Sequence, residues 1–190
     1  MPPNRPVSTI WFATSNKSKA PEMRELARIH GLDIQVVPLK IEELQTEDTQ
    51  VLIRNKTMQA FERLRLPVIV DHASLRMGCL AGLPGTLTQL FWDRLGGHRL
   101  CEIAERLGDN SAEAVSTVGY CDGMKVYSFE AGLSGNIART PAGTRRFQWD
   151  SIFVPSGHSR TYAQMTMAEK NAISQRRQAL DKFFEFVTST

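Results

Sequence analysis

RRFQWDSIFVPSGHSRTYAQMTMAEKNAISQRR, residues 145–177, is the stretch on which the rest of the chain turns. It sets two aromatic residues, Phe147 and Trp149, beside a carboxylate, Asp150. A loop follows, and then a helix expected over Met167–Val187 that opens with Glu169-Lys170-Asn171 and carries Ser174, Gln175 and Arg176. A flat aromatic face, one acceptor and cationic donors suit a purine base with a 6-oxo group. The ring stacks on the aromatic face, Asp150 accepts the N1 proton, and the Arg176 guanidinium donates to the carbonyl oxygen. The competing reading makes Phe147 and Trp149 core residues and the charges a solvated helix face. The helix decides between them. Its apolar stripe is Ala172, Ile173, Ala179, Leu180, Phe183 and Val187, and helical spacing puts Arg176 inside that stripe. A guanidinium on a buried face requires a partner, and a bound oxo-purine would be one.

Outward from this stretch, the chain alternates strands and helices. Thr9–Ala13 reads as a buried strand, and ATSNKSK (residues 13–19) turns from it into a helix with Met23, Leu26, Ala27 and His30 on one face and Gly31 at its end. A strand, a Ser/Asn-rich turn and a helix start form a seat for phosphate, to which Lys19 adds a charge; a plain capped helix is the other reading. The turn lacks the glycines of a Walker A loop. Leu32–Leu39 reads as a second strand. The acidic stretch 41–50 reads as a solvated loop, one of whose carboxylates reaches a magnesium ion in the alternative reading. Val51–Leu64 reads as a helix displaying Lys56, and Pro67–Val70 as a buried strand with Asp71-His72-Ala73-Ser74 at its carboxyl end, where open α/β sheets keep their chemistry. Thr86–Leu95 reads as a short helix after the Pro84-Gly85 turn. Ala112–Gly119 and Lys125–Ile137 read as strands joined at Asp122-Gly123.

With 190 residues, one domain is expected, spanning 1–190, with a core of useful size. The net charge of +3 comes without a block of like charges, which argues against a general nucleic-acid binder. Cys79, Cys101 and Cys121 are odd in number and lack metal-type spacing, so free thiols in a reducing, cytoplasmic setting are expected. The apolar run Ile10–Ala13 is too short for a signal peptide or membrane span.

Taken in order, ATSNKSKAPE, LAGLPG, the Gly135-Asn136-Ile137 turn, FQWD, TYAQM and EKNAISQR resemble the HAM1 family, the inosine triphosphate pyrophosphatases that remove deaminated purine nucleotides. The resemblance runs from Ile10 to Phe186. It implies an α/β fold with a long mixed central sheet, flanking helices, two lobes around a deep nucleotide cleft, and a homodimer. It implies that Thr14, Asn16, Lys19, Lys56 and Thr88 hold the phosphates, and that Phe147, Trp149, Asp150, Lys170, Ser174, Gln175 and Arg176 hold the base. Asp71 and His72 stand at the catalytic positions, and Glu43 and Asp71 are the expected ligands of a magnesium ion.

The chain departs from the family pattern where the chemistry is done. The usual acidic pair at the central strand is Asp71-His72, followed by Ala73-Ser74-Leu75. An acidic residue before Lys56 is replaced by Val51. Gln148 stands for a glycine, Gln164 for a glutamate, Gln175 for a histidine and Ala142 for an arginine. A neutral imidazole serves as a base near neutral pH but is a poor magnesium ligand. The reading placed first is therefore a sensor that binds ITP or dITP, and in the wider case XTP, without consuming it, like HAM1-like subunits of antiphage systems that act on a SIR2-type partner. The alternative is an active, Mg²⁺-dependent pyrophosphohydrolase with His72 as base, yielding a nucleoside monophosphate and pyrophosphate.

Overall fold

The computed structural model describes residues 9–16, 19–144 and 148–189. The strands are β1 (Ile10–Ala13), β2 (Ile34–Val37), β3 (Val68–Met77), β4 (Pro84–Gly85), β5 (Ser111–Cys121), β6 (Val126–Ile137) and β7 (Phe153–Pro155). The helices are α1 (Lys19–Ile29), α2 (Thr49–Leu64), α3 (Thr88–Leu107), α4 (Met167–Ile173) and α5 (Gln175–Ser189). All seven strands form one sheet in the order β2-β1-β3-β5-β6-β7, with β4 on β3. The β2-β1-β3 pairs are parallel, and β3-β5-β6-β7 are antiparallel. This is the mixed, open α/β sheet expected from the sequence.

Local chemistry accounts for the first half. Helix α1 buries Met23, Leu26 and Ala27, and Gly31, at φ 69°, turns the chain back so that Leu32 N–H reaches Ala27 O at 3.0 Å. Asp48 caps α2, its carboxylate accepting from Gln50 N (2.8 Å) and Val51 N (3.1 Å). The strand after α2 does not stop at Val70. It continues for ten residues, because β5 pairs with it all the way from Val68 to Met77. On its other edge β1 ends at the level of Ile69, and β4 joins only at Leu75–Arg76. Between these two neighbours lie Asp71, His72 and Ala73, in mid-strand rather than at a strand end.

Two other expectations change. Helix α3 runs on past Leu95 to Leu107, with a break at Gly96 (φ 69°, ψ 171°). The expected helix over Met167–Val187 is two helices, because Ser174 is extended (φ −64°, ψ 144°) and its Oγ accepts from Arg177 N at 3.2 Å, capping α5. The hairpin at Asp122-Gly123 is as read, with Asp122 Oδ1 accepting from Met124 N and Lys125 N at 2.7 Å.

The core has three parts. One lies between the sheet and α1 and α5 (Phe12, Met23, Ile69, Phe183), and one on the opposite face under α2 (Ile53, Ala60, Val68, Val70). The third surrounds the far ends of β3 and β5 with α3, Trp149, Phe153 and Tyr162. The first two sandwich the parallel end of the sheet and the third forms a second lobe, with β3 and β5 running through both. Among the described residues no helix is long and apolar enough to cross a membrane.

The register of α2 on the sheet depends on Gly119. A Cβ there would collide with Thr57 Oγ1 and lie 2.8 Å from Ile53 Cγ1. Gly119→Ala is expected to lower unfolding free energy by about 1–3 kcal/mol, the usual range for overpacking, as read by urea denaturation.

Candidate active site

The gap beside β3 opens into a cavity of about 250 Å³, lined by residues that include Thr14, Asn16, Lys19, Glu43, Lys56, Asp71 and His72. Just after β1, Thr14 Oγ1 accepts from Asn16 N at 3.1 Å. Lys19 follows at the start of α1. Asp71 is 2% exposed and is the hub of the cavity. Lys19 Nζ lies 3.0 Å from each of its carboxylate oxygens, Arg176 Nε lies 3.1 Å from Oδ2, and Lys56 Nζ donates to its carbonyl oxygen at 2.9 Å. His72, the next residue, points to the opposite face of the strand. There its Nδ1 lies 3.4 Å from Glu43 Oε2, while Glu43 Oε1 accepts from Lys56. His72 Nε2 is buried and has no hydrogen-bond partner among the described residues.

A second cavity of about 260 Å³ is lined by residues that include Ala73, Trp149, Asp150, Lys170, Gln175 and Arg176. Lys19 and Ala73 line both cavities, so the two are adjoining parts of one cleft. Asp150 is 2% exposed; Lys170 Nζ donates to its Oδ2 at 2.5 Å, and its Oδ1 has no partner among the described residues. Gln175 Oε1 accepts from the Tyr162 hydroxyl at 3.0 Å.

Most residues singled out in the sequence meet here, though not always as expected. Arg176 is buried as its place in the stripe required, but its partners are Glu22 and Asp71 rather than a base alone. Trp149 lines the second cavity and is also a core residue, 1% exposed and edge-on to Phe153 with ring centroids 5.9 Å apart. Thr88 and Ser174 line neither cavity. Thr88 Oγ1 accepts from Leu75 N at 2.8 Å and donates to Gly85 O at 2.5 Å, fixing β4 and α3, while Ser174 caps α5. Phe147 lies outside the described residues. Val51 is 47% exposed and lines neither cavity, so its departure from the family pattern falls outside the cleft. Ser116, Gln89 and the pairing of Glu22 with Arg176 were missed. Period-2 alternation of β5 against β3 could have placed Ser116 beside Ala73. Nothing local to the sequence marks the others.

The electrostatics follow from burying opposite charges together. Burial acts to raise the pKa of Asp71, but Lys19 and Arg176 outweigh it and hold the carboxyl far below the usual carboxylate range. Burial lowers the pKa of the Lys19 ammonium even with Asp71 beside it. Burial raises that of Asp150 against the pull of Lys170. For Glu43 burial again acts upward, and the hydrogen bond to His72 and the charge of Lys56 bring it down from 4.5 to about 2. Glu43 and Asp71 are hard oxygen donors in one cavity. No group of three or more acidic, His or Cys side chains is placed to hold a metal among the described residues. Magnesium takes one or two carboxylates when substrate oxygens and water complete its shell, and these two are the carboxylates this cavity offers. Because its pKa is depressed on folding, Glu43 contributes stability that is fully present above about pH 4.5 and lost as pH falls toward 2. Urea unfolding across that window is expected to show a smaller loss on acidification for Glu43→Gln than for the wild type; equal slopes would place the acid-sensitive charge elsewhere.

Comparison with known proteins agrees with this geometry. The Ham1 family matches residues 10–186. A dITP/XTP pyrophosphatase of Methanopyrus kandleri is 32% identical over 178 residues, covering 93% of this chain and 95% of that protein. An inosine triphosphate pyrophosphatase of Tuber melanosporum is 34% identical over 181 residues, covering 94% and 96%. The structure of a HAM1 protein from Coxiella burnetii superposes with a TM-score of 0.82 at 28% identity, covering 96% of this chain and 100% of that one. With the fold and nearly the whole length in agreement, this chain belongs to the Ham1 family.

Proposed function

We propose that the chain hydrolyses 6-oxo-purine nucleoside triphosphates, dITP, ITP and XTP, to the nucleoside monophosphate and pyrophosphate. The observation that carries this reading is the adjoining pair of cavities, one lined by Lys19 and Lys56 with their carboxylate partners and one holding a buried carboxylate whose Oδ1 has no partner among the described residues, with Lys19 and Ala73 belonging to both. The first suits a triphosphate, with Lys19 and Lys56 moving from their carboxylates to phosphate oxygens. The second suits an oxo-purine, whose N1–H would satisfy Asp150 Oδ1 while Lys170 donates to the carbonyl oxygen. Adenine has no N1 proton and would leave Asp150 unsatisfied.

His72 supplies the base. Glu43 beside Nδ1 favours the tautomer with the proton on that nitrogen and leaves Nε2, which has no other partner among the described residues, to accept one. A water that gives its proton to Nε2 forms a bond from its oxygen to the α-phosphorus, and the bond from that phosphorus to the bridging oxygen breaks, its electron pair leaving with pyrophosphate. Glu43 and Asp71 are the side chains that would hold Mg²⁺, which when bound offsets phosphate charge and makes the phosphorus more electrophilic.

The sensor reading, with silent binding and a SIR2-type partner, loses ground on two observations. The relatives named above are called pyrophosphatases, and Glu43 at His72 Nδ1, with no partner at Nε2 among the described residues, supports reading His72 as a base. Neither that partner nor a homodimer is needed for the chemistry.

With purified protein, dITP and Mg²⁺, release of pyrophosphate is expected, with kcat/KM for dITP at least about tenfold above that for ATP. His72→Ala is expected to lower kcat by about 10²–10⁴-fold with little change in KM. Tight dITP binding by the wild type without pyrophosphate release would establish the sensor instead, and equal use of ATP would overturn the base pocket.

A further inference from the structure

Buried side-chain polar atoms with neither a hydrogen bond nor an ion pair among the described residues include His72 Nε2, Asp150 Oδ1, Ser116 Oγ and Asn171 Oδ1. The first two are accounted for by the catalytic and base-reading roles above. Asn171 lines neither cavity. Ser116 remains. It is 1% exposed, lies in the middle of β5 and lines the second cavity.

The sheet explains how it gets there. Ser116 is directly opposite Ala73 on β3, so the two side chains stand on the same face, the face to which Asp71 also points two residues earlier. Ala73 is short, and the neighbour of Ser116 on its other side is Ala131 of β6. A hydroxyl flanked by two methyl groups has no protein partner within reach on its own sheet. Thr117, the next residue, shows the contrast: its hydroxyl points to the other face and donates to Glu130 at 3.0 Å. A buried hydroxyl without a protein partner calls for a specific explanation in a native protein.

We infer that Ser116 is a specificity-determining residue of the base pocket, its hydroxyl hydrogen-bonding an acceptor on the oxo-purine, a ring nitrogen or carbonyl oxygen, that Asp150 and Lys170 do not take. This rests on the reading of the second cavity as the base site. The strand backbone fixes the Cβ, so the hydroxyl costs only one rotor to place and selects a planar heteroaromatic ring over an apolar occupant. The inference separates two effects that a structural serine would join. In the free protein the hydroxyl makes no hydrogen bond to a described residue, whereas in the complex it contributes one to the ligand.

The test is Ser116→Ala measured in two ways. Calorimetric titration with ITP, in the presence of Ca²⁺ in place of Mg²⁺ to slow turnover, is expected to show binding weakened by about three- to tenfold, what one neutral hydrogen bond is worth. Affinity for inorganic triphosphate, which has no base, is expected to be unchanged. Thermal unfolding without ligand is expected to give a Tm equal to or above that of the wild type. If the variant binds ITP as well as the wild type, or loses triphosphate and ITP affinity alike, Ser116 has no role in base recognition. A lowered Tm with unchanged ITP affinity makes it a structural residue and also overturns the inference. If the wild type itself fails to bind ITP, the base-site reading falls first and the inference with it. Ser116→Thr, which keeps the hydroxyl, is expected to retain more ITP affinity than Ser116→Ala; a threonine variant no better than alanine would count against the hydroxyl as the active group.

Discussion

A carboxylate buried in the middle of a strand is the constraint that organises this molecule. Asp71 has almost no contact with solvent, and a lone buried charge is not tolerated at that depth. It is kept by cations brought from two helices far apart in the chain, Lys19 at the start of α1 and Arg176 at the start of α5, while Lys56 of α2 holds its carbonyl oxygen. The same charges that line the cleft thus tie α1, α2 and α5 to the central strand. Removing one partner of such a network costs about 3–5 kcal/mol, because the survivor is left buried and unpaired. Stability and chemistry are written into the same side chains.

The sheet provides the opening. Because β1 stops early and β4 joins late, a short length of β3 has a neighbour on one edge only, and consecutive residues there can face two different lobes of the cleft. Asp71 looks toward α1 and α5, His72 toward the loop that carries Glu43. A continuous strand with both edges paired would have denied a ligand access to either.

Much of this was legible in the sequence, and the failures have physical causes. The first strand and the helix after it, the α2 helix with Lys56 and the hairpin at Asp122-Gly123 are set by local chemistry and were read correctly, boundaries aside. Charged and polar residues that line the cleft, from Lys19 to Asp150, were also identified. The extension of β3 beyond Val70 was missed because Asp71-His72 looks like a strand end; only pairing with β5, distant in sequence, keeps those polar residues in a ladder. The break at Ser174 was missed because the apolar spacing runs on through it. Arg176 was correctly placed on a buried face, yet its carboxylate partner Glu22 lies 154 residues away, beyond anything a periodicity can show. Thr88 and Ser174 looked like ligand-binding hydroxyls and turned out to serve the backbone.

The ion pairs inside the cleft have a consequence for traffic through it. Lys19 and Lys56 are already matched by Asp71 and Glu43, so an arriving anion does not fill a vacancy but takes part in an exchange. An exchange has a threshold. On the proposed function, a triphosphate would compete for both ammonium groups at once, whereas a monophosphate would compete less well with the two carboxylates. The resting network would then sort anions by their charge.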